Sequence, residues 1–305
     1  MSTRIIGHRG ASGYRPEHTE AAYRLAIELG VDALEPDLVL SRDGVVIIRH
    51  EHDLSHSTDV ADRSEFADRQ REGFGEDGPV IGWFTEDFDW AELATLRARE
   101  PRPTVRPQNT AFDDAQGIMR FRDLLDLLAE PHSRGTSAEA VQLVAELKHT
   151  NAYAALGMDL VGAVLSELTA AGWRPDDPRL IFESFEAEPL DALAGWGKRV
   201  LLIDEAHWPA DLIQAAKRFD GVSFDTEHLL LEPDLPARLH EQGLLAFAYT
   251  LRPENAFLPE RYRTSGEPSD YGNWREWFEL VLHSGLDAVF VDHPDLPGDV
   301  VGPDA

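Results

Sequence analysis

The sequence predicts an α/β protein built as one (β/α)8 barrel, with an open doubly wound sheet as the alternative. Two observations carry this prediction. Eight short runs rich in apolar and β-branched residues follow one another along the chain, and amphipathic stretches separate most of them. The predicted strands are 4–8, 32–37, 144–148, 179–185, 200–204, 222–225, 245–250 and 288–292.

The stretches between these strands have the spacing of surface helices. Gly30 and Gly172 follow the first two stretches, and glycine is a common residue just after a helix. The predicted helices are 20–29, 156–171, 190–196, 211–219, 233–242 and 274–284.

A ninth apolar run, 45–49, follows the second strand after only the four residues 41–44. This linker is too short for a parallel crossover, so the two runs are expected to form an antiparallel hairpin. The hairpin would place His50 roughly opposite Asp37, at the C-terminal rim of the barrel.

Two segments break the rhythm of strands and helices. The segment 58–117 is polar and contains the stretches DRQREGFGEDG and PRPTVRPQN, and a second segment covers 252–274. Loops of this length in a compact domain are usually lids or specificity loops. We therefore predict a single domain, 1–305, with 58–117 as an insertion within it.

Composition limits the function classes. The net charge of −28, from 28 basic and 56 acidic residues, disfavours binding to a nucleic acid. The chain has no cysteine, so any metal is held by oxygen or imidazole, which favours calcium or magnesium. No apolar run is long enough for a membrane span, and the start does not resemble a signal peptide. We expect a cytoplasmic protein, or an exported one whose signal was trimmed.

Several polar residues stand at the C-terminal ends of the predicted strands, where barrel active sites lie. Strand ends of a barrel surround one centre, so these side chains are expected to converge there. They are His8, Arg9, Glu35, Asp37, His50, Glu146, Lys148, Glu183, Ser184, Asp292 and His293.

Three of these residues predict a metal site. Glu35 and Asp37 are two positions apart on one strand and share a face, and Glu146 ends a neighbouring strand. Three inward carboxylates cannot all ionise together without a cation. One Ca²⁺ or Mg²⁺ ion fits such hard oxygen ligands.

The remaining charges predict phosphate chemistry. Arg9 offers a planar fork to a phosphate and Lys148 a point charge. His8 and His50 have the pKa range that suits proton transfer near neutral pH. A metal, two cations and two imidazoles together describe a phosphodiester site.

These residues fall in an ordered set of motifs. They are HRG at 8–10, PEHT at 16–19, EPD at 35–37, HE at 50–51 and ELK at 146–148. In this order they resemble the glycerophosphodiester phosphodiesterase family, which has HRG, PENT, E-x-D, H-D and E-x-K. The stretches STDVADR, KHTNAYAALGMDL, ESFE, PENAFLPERYR and VDHPD resemble its larger, periplasmic-type branch.

The resemblance implies a TIM barrel that hydrolyses glycerophosphodiesters to glycerol 3-phosphate and an alcohol. In the route proposed for the family, a hydroxyl of the glycerol attacks first, and water then opens the cyclic phosphate. The implied roles are acid and base for His8 and His50, metal binding for Glu35, Asp37 and Glu146, and phosphate binding for Arg9 and Lys148.

Three positions depart from the family pattern: His18 replaces the usual Asn, Glu51 the usual Asp, and His56 a common Arg. If the usual Asp helps to orient the site, the longer Glu51 puts that geometry in question. His18 is expected to keep hydrogen bonds within its loop.

Three further residues complete the predicted site. Glu17 is expected to tie the loop after the first strand together near Arg9. Phe185 and Tyr249 are candidates for the wall that contacts the glycerol or the alcohol. The expected partner is a small-molecule substrate, and the sequence does not indicate an oligomeric state.

Other functions stay open at this point. The same chemistry could act on lysophospholipids or glycerol-phosphate polymers if an open cleft were lined by Trp83, Phe84 and Phe88. A non-catalytic barrel that binds phosphorylated polyols would need a broken site, and the five acid–base and metal residues are intact. A nucleotide-binding open sheet would need a glycine-rich phosphate loop, which the stretch 9–13 does not match.

Overall fold

The computed structural model describes residues 3–75, 78–131 and 140–301. Its strands are β1 (Arg4–His8), β2 (Ala33–Glu35), β3 (Asp37–Leu40), β4 (Val46–Ile48), β5 (Arg71–Gly75), β6 (Gly78–Gly82), β7 (Gln142–Leu147), β8 (Leu180–Ser184), β9 (Lys198–Ile203), β10 (Gly221–Asp225), β11 (Leu245–Leu251) and β12 (Ala288–Val291). Its α-helices are α1 (Glu20–Glu28), α2 (Trp90–Leu93), α3 (Phe121–Ala129), α4 (Thr150–Ala155), α5 (Leu160–Ala170), α6 (Ala187–Ala192), α7 (Leu212–Ala216), α8 (Leu235–Glu241), α9 (Trp274–Leu282) and α10 (Gly298–Val301).

Eight of these strands close a parallel barrel in the order β1, β2, β7, β8, β9, β10, β11 and β12, and β12 pairs back with β1. Helices lie in the connections between successive barrel strands. The predicted (β/α)8 barrel is confirmed.

The helix predicted over 156–171 is wrong in its extent. Only α5 lies within that range; α4 ends at Ala155, and residues 156–159 form the break between the two helices. Gly157 has a φ of +76°, a conformation that glycine adopts without strain. Asp159 then caps α5, its side chain accepting a hydrogen bond from the backbone N–H of Gly162. The periodic pattern did not reveal this new start.

An apolar plug fills the barrel and sets the height of the polar residues above it. Its members are Ile6, Ala33, Val144, Ile181, Val200, Phe247, Ala288 and Phe290. Side chains two positions apart on a strand point to the same side. His8, Glu35, Glu146, Glu183 and Asp292 each follow a plug residue by two positions, so they form the next layer toward the C-terminal rim.

The predicted hairpin is present, with its register displaced by one residue. Pro36, which has no N–H, separates β2 from β3. Asp37 opens β3 and pairs with Glu146 of β7. β3 and β4 are antiparallel, and the N–H of Arg49 donates to the carbonyl of Asp37 at 3.0 Å. Arg49 therefore stands opposite Asp37, and His50 follows it at the rim.

The segment between β4 and β7 forms the small antiparallel sheet of β5 and β6, together with α2 and α3. Buried contacts within the segment stabilise it. One of them is the hydrogen bond from the indole N–H of Trp83 to the carbonyl of Phe66 at 2.7 Å. Arg106, which is buried, extends from this segment toward the last barrel strand. Across the described ranges, the helices are all too short or too polar to cross a bilayer.

Candidate active site

His8 ends β1 and is held by a buried carboxylate. Its Nδ1 lies 2.6 Å from Oδ1 of Asp292. The other carboxylate oxygen accepts hydrogen bonds from Arg106 at 2.5 Å and Arg252 at 2.6 Å. Burial alone would raise the pKa of Asp292, but Arg252 and Arg106 hold it well below its usual range. The ionised carboxylate therefore accepts a hydrogen bond from the protonated Nδ1 of His8, and Nε2 keeps its lone pair.

The surroundings keep His8 neutral. Burial, followed by the positive charge of Arg9, lowers the pKa of His8 to about 4 despite the opposing effect of Asp292. Nε of Arg9 donates to Nε2 of His8 at 3.1 Å. The neutral imidazole thus has Nε2 as its proton acceptor, and in this structure Nε2 accepts the hydrogen bond of Arg9.

Arg9 occupies the turn that follows β1. Its φ of +59° and that of +86° at Gly10 turn the chain sharply at the rim. Nη1 of Arg9 donates to Glu17 at 3.0 Å, and Nε lies 3.3 Å from Asp37. Burial would raise the pKa of Glu17, but Arg9 and other nearby cations lower it to about 2. The Arg9–Glu17 ion pair therefore holds the loop after β1 together, as expected of Glu17 from the sequence.

The predicted metal-binding carboxylates come together. One oxygen from each of Glu35, Asp37 and Glu146 lies within 4.8 Å of the others. Glu183, paired with Glu146 in the register of β7 and β8, stands beside them. Burial, reinforced by the neighbouring carboxylates, raises the pKa of Glu35 and of Glu183 well above its usual range. This repulsion is what a bound cation would relieve.

Two oxygen atoms of this cluster support the fit of a metal ion. Oδ1 of Asp37 and Oε1 of Glu183 are buried and have no hydrogen-bond partner among the described residues. Buried carboxylate oxygens are normally hydrogen-bonded or coordinated. Their hard oxygen chemistry suits a divalent cation such as Ca²⁺ or Mg²⁺.

His18 does more than hold its own loop. Its φ is +58°, a conformation in which Asn, Asp and His are enriched among residues other than glycine. Nε2 lies 2.8 Å from Oδ2 of Asp37, and Nδ1 lies 2.8 Å from the hydroxyl of Tyr23. Because burial lowers the pKa of His18, the neutral ring can donate to Asp37 and accept from Tyr23. His18 thereby orients a carboxylate of the cluster.

His50 and Lys148 complete the polar layer. Nδ1 of His50 lies 2.9 Å from Oε1 of Glu51, so the longer acid at this position still reaches the ring. Burial, then the charges of Arg9 and Lys148, lowers the pKa of His50 well below its usual range. Nζ of Lys148 lies 3.3 Å from Glu146.

A cavity of about 830 Å³ opens above this layer. His8, Arg9, Glu35, His50, Glu146, Lys148, Phe185 and Tyr249 all line it, whereas Asp37 and Glu17 are buried behind the lining. The rings of Phe185 and Tyr249 meet nearly at right angles, 6.1 Å apart. The Tyr249 hydroxyl donates to the carbonyl of Ile203 at 2.8 Å, which fixes its ring. The cavity is large enough for a small-molecule substrate.

The aromatic cleft considered for a lipid substrate does not form. Trp83, Phe84 and Phe88 are buried, and they pack in the core of their segment instead of lining the cavity. Phe84, for example, packs against His52 with ring centres 5.0 Å apart.

Some contacts of the site were not assigned from the sequence. Glu183 and Asp292 stood in the set of polar strand ends, and their two-residue spacing from Ile181 and Phe290 was the signal that could have placed them. Arg106, Arg252 and His18 had no such signal, because they reach the site from loops.

A barrel with this layer of imidazoles, cations and clustered carboxylates has the features of an enzyme of phosphate-ester hydrolysis. The model of the glycerophosphoryl diester phosphodiesterase family matches residues 8–296. The chain belongs to this family and is an enzyme, a phosphoric diester hydrolase.

Individual relatives agree with this assignment. A glycerophosphodiester phosphodiesterase of Arabidopsis thaliana is 46% identical over 94% of this chain and 82% of its own length. One from Treponema pallidum is 25% identical over 96% of this chain and 90% of its own length.

Solved structures share the fold. A glycerophosphoryl diester phosphodiesterase from Silicibacter pomeroyi superposes with a TM-score of 0.71 at 24% identity, over 98% of this chain and 92% of that one. A phosphodiesterase of Oleispira antarctica, in complex with the product sn-glycerol-3-phosphate, superposes with a TM-score of 0.68 at 21% identity. The match covers 98% of this chain and 97% of that one.

Proposed function

We propose that this protein hydrolyses small glycerophosphodiesters to glycerol 3-phosphate and an alcohol, with the help of one divalent metal ion. The observation that carries the proposal is the meeting of two neutral imidazoles, His8 and His50, with a crowded carboxylate cluster around one cavity. The name of the Arabidopsis thaliana relative supports the substrate class.

The two imidazoles would move the protons. One, as the neutral imidazole, takes the proton of the attacking glycerol hydroxyl. The other, once protonated in the complex with the anionic substrate, gives that proton to the oxygen of the leaving alcohol as its bond to phosphorus breaks. Water then opens the cyclic phosphate with the proton transfers reversed. Asp292 would keep the proton of His8 on Nδ1, so that Nε2 is the atom that exchanges a proton with the substrate.

The metal would be held by Glu35, Asp37 and Glu146, with Glu183 beside them. Bound there, Ca²⁺ or Mg²⁺ supplies positive charge to the phosphoryl oxygens of the substrate. His18 would hold Asp37 in the orientation that its 2.8 Å contact fixes.

Two cations would hold the phosphate itself. Arg9 and Lys148 both line the cavity. Arg9 lies 3.3 Å from Asp37, and Lys148 lies 3.3 Å from Glu146. The developing negative charge of the transition state would strengthen these contacts. Phe185 and Tyr249 would form the wall against the released alcohol.

Small diesters are favoured over lysophospholipids. An acyl chain needs a continuous apolar channel, and the three aromatic side chains that would have formed one are buried elsewhere.

The test is release of glycerol 3-phosphate from glycerophosphocholine. The chelated enzyme should be inactive, calcium or magnesium should restore activity, and His8→Ala should abolish it. His283→Ala is the matched control, because His283 is exposed and its side chain bonds, among the described residues, only to the carbonyl of Glu279 in α9. Absence of release from this substrate and from glycerophosphoethanolamine with either metal would overturn the proposal.

A further inference from the structure

Part of the cavity wall is made of arginines to which the proposed reaction gives no contact with the cleaved phosphate. We call Arg102, Arg252, Arg263 and Phe257 the arginine wall; all four line the cavity. The guanidinium carbons of Arg102 and Arg252 lie 5.7 and 4.7 Å from the centre of the Phe257 ring. Arg102 belongs to the segment before β7 and the other three follow β11, so loops build this wall.

Few carboxylates of the described residues are in direct contact with the guanidinium groups of the arginine wall. Arg252 donates to Asp292 at 2.6 Å, but Asp292 is shared with Arg106 and His8. The side chain of Arg102 makes no hydrogen bond, and no ion pair within 4.0 Å, with residues in the described ranges 3–75, 78–131 and 140–301.

Arg263, the third guanidinium, donates from Nε to the carbonyl of Leu258 at 2.6 Å. It has no carboxylate within 4.0 Å in the described part of the chain. Two of the three arginines of the wall therefore lack an acidic partner there.

This lack of partners is notable in such an acidic protein. The chain has 56 acidic residues against 28 basic ones, so carboxylates are plentiful. A partly buried guanidinium beside another arginine is costly, because it gives up water and gains repulsion. Burial, then the charge of Arg252, lowers the pKa of Arg102, although Glu17 and Asp292 act in the opposite direction from beyond ion-pair distance. An anionic ligand group would remove both costs.

Resting on the proposed function, we propose that Arg102, supported by Arg252, binds a second anionic group of the substrate, so that the preferred diesters carry a phosphate on the released alcohol. Arg9 and Lys148 remain the cations for the phosphate that is cleaved. The cavity of about 830 Å³ has room for such a substrate, and a guanidinium binds phosphate with two parallel hydrogen bonds.

The experiment compares two substrates on the metal-loaded enzyme. Glycerophosphoglycerol has a neutral alcohol, and glycerophosphoglycerol phosphate adds one terminal phosphate to it. We expect kcat/KM to be higher for the second substrate. Arg102→Gln should remove about ten- to hundredfold from kcat/KM of the second substrate and less than about threefold from that of the first.

Arg261→Gln is the matched control, because Arg261 is an exposed arginine of the same loop that does not line the cavity. Arg261→Gln should leave kcat/KM unchanged for both substrates. The thermal midpoint of Arg102→Gln should equal or exceed that of the wild type, since the substitution removes a charge without a partner.

Equal losses on both substrates would overturn the inference, because they would place Arg102 at the cleaved phosphate or in the framework. Absence of a wild-type preference for the added phosphate would overturn it as well. If neither these substrates nor glycerophosphocholine were hydrolysed, the proposed function would fail separately. Calorimetric binding of the two compounds to the wild type and Arg102→Gln would then still decide whether Arg102 recognises the added phosphate.

Discussion

His8 Nδ1 lies 2.6 Å from Asp292 Oδ1, across the seam where the first and last barrel strands pair. The contact joins residues at opposite ends of the chain, and it fixes which ring nitrogen carries the proton. Two arginines hold Asp292 in turn. The protonation state of His8 therefore depends on groups that come from three separate parts of the sequence.

Asp292→Asn should lower kcat by about 10²-fold or more, because the amide no longer requires a proton on Nδ1 of His8. The variant should also unfold more easily, since Arg106 and Arg252 lose their shared counter-charge. Steady-state kinetics well below the unfolding midpoint separates the two effects. Asp295→Asn is the control, because Asp295 is exposed and its carboxylate bonds, among the described residues, only to the Tyr14 hydroxyl. A full kcat in Asp292→Asn would contradict the orienting role.

Glu183→Gln should stabilise the metal-free protein and reduce the stabilisation that a bound metal adds. In the chelated enzyme it should raise the thermal midpoint by a few degrees, roughly 2–4 °C per kcal/mol, because one repelling carboxylate is removed. The added stabilisation by calcium or magnesium should shrink, because one oxygen donor is weaker. Thermal scans with a metal titration measure both. Glu188 is an exposed residue close by in the sequence, so Glu188→Gln should change neither the midpoint of the chelated enzyme nor its stabilisation by metal. If Glu183→Gln were stabilised by metal as much as the wild type, Glu183 would not belong to the metal site.

His18→Ala should cost about 1–3 kcal/mol in free energy of unfolding, because it removes one buried hydrogen-bond partner from each of Tyr23 and Asp37. It should also weaken metal binding through the freed Asp37. His18→Asn should retain more stability than the alanine variant, since asparagine accepts the positive φ of this position. Urea unfolding and metal titration test this order, and equal losses in both variants would show that the backbone conformation contributes little.

Glu100 predicts a dependence of stability on pH. Burial raises its pKa from 4.5 to about 7, although Asn109 donates to it at 2.9 Å. The folded protein therefore holds this proton more tightly than the unfolded chain. Its stabilising contribution is present below pH 4.5 and is lost as the pH rises through 7.

Glu100→Gln mimics the protonated carboxyl group and removes this dependence. It should match the wild type near pH 5 and exceed it at pH 8 by up to about 3 kcal/mol, the free energy that corresponds to the change in pKa. Urea unfolding at both pH values measures the difference. A constant difference between the two proteins across this range would show that Glu100 titrates normally.

The sequence predicted the residues that follow from strand periodicity. His8, Glu35 and Glu146 come two positions after apolar residues of the plug, so their meeting depends only on the barrel and on alternation along a strand. The hairpin was predicted from its short linker, but its register needed the structure. The outer contacts of the site depend on packing that no local pattern encodes: Arg106 reaches Asp292 over 186 positions of sequence. The roles of the site residues, the domain boundaries and the cellular location stay predictions.

The interruption at Pro36 has a consequence for engineering. The stretch 33–50 contains β2, β3 and β4 and brings two carboxylates and an imidazole to the site, and its backbone pairs with β1, β7 and itself. It forms one continuous unit that is held to the barrel by main-chain hydrogen bonds and by the buried side chains of its strands. Transplanting these residues as one block into a related barrel would carry three reactive groups at once, whereas grafting them singly would lose their mutual spacing.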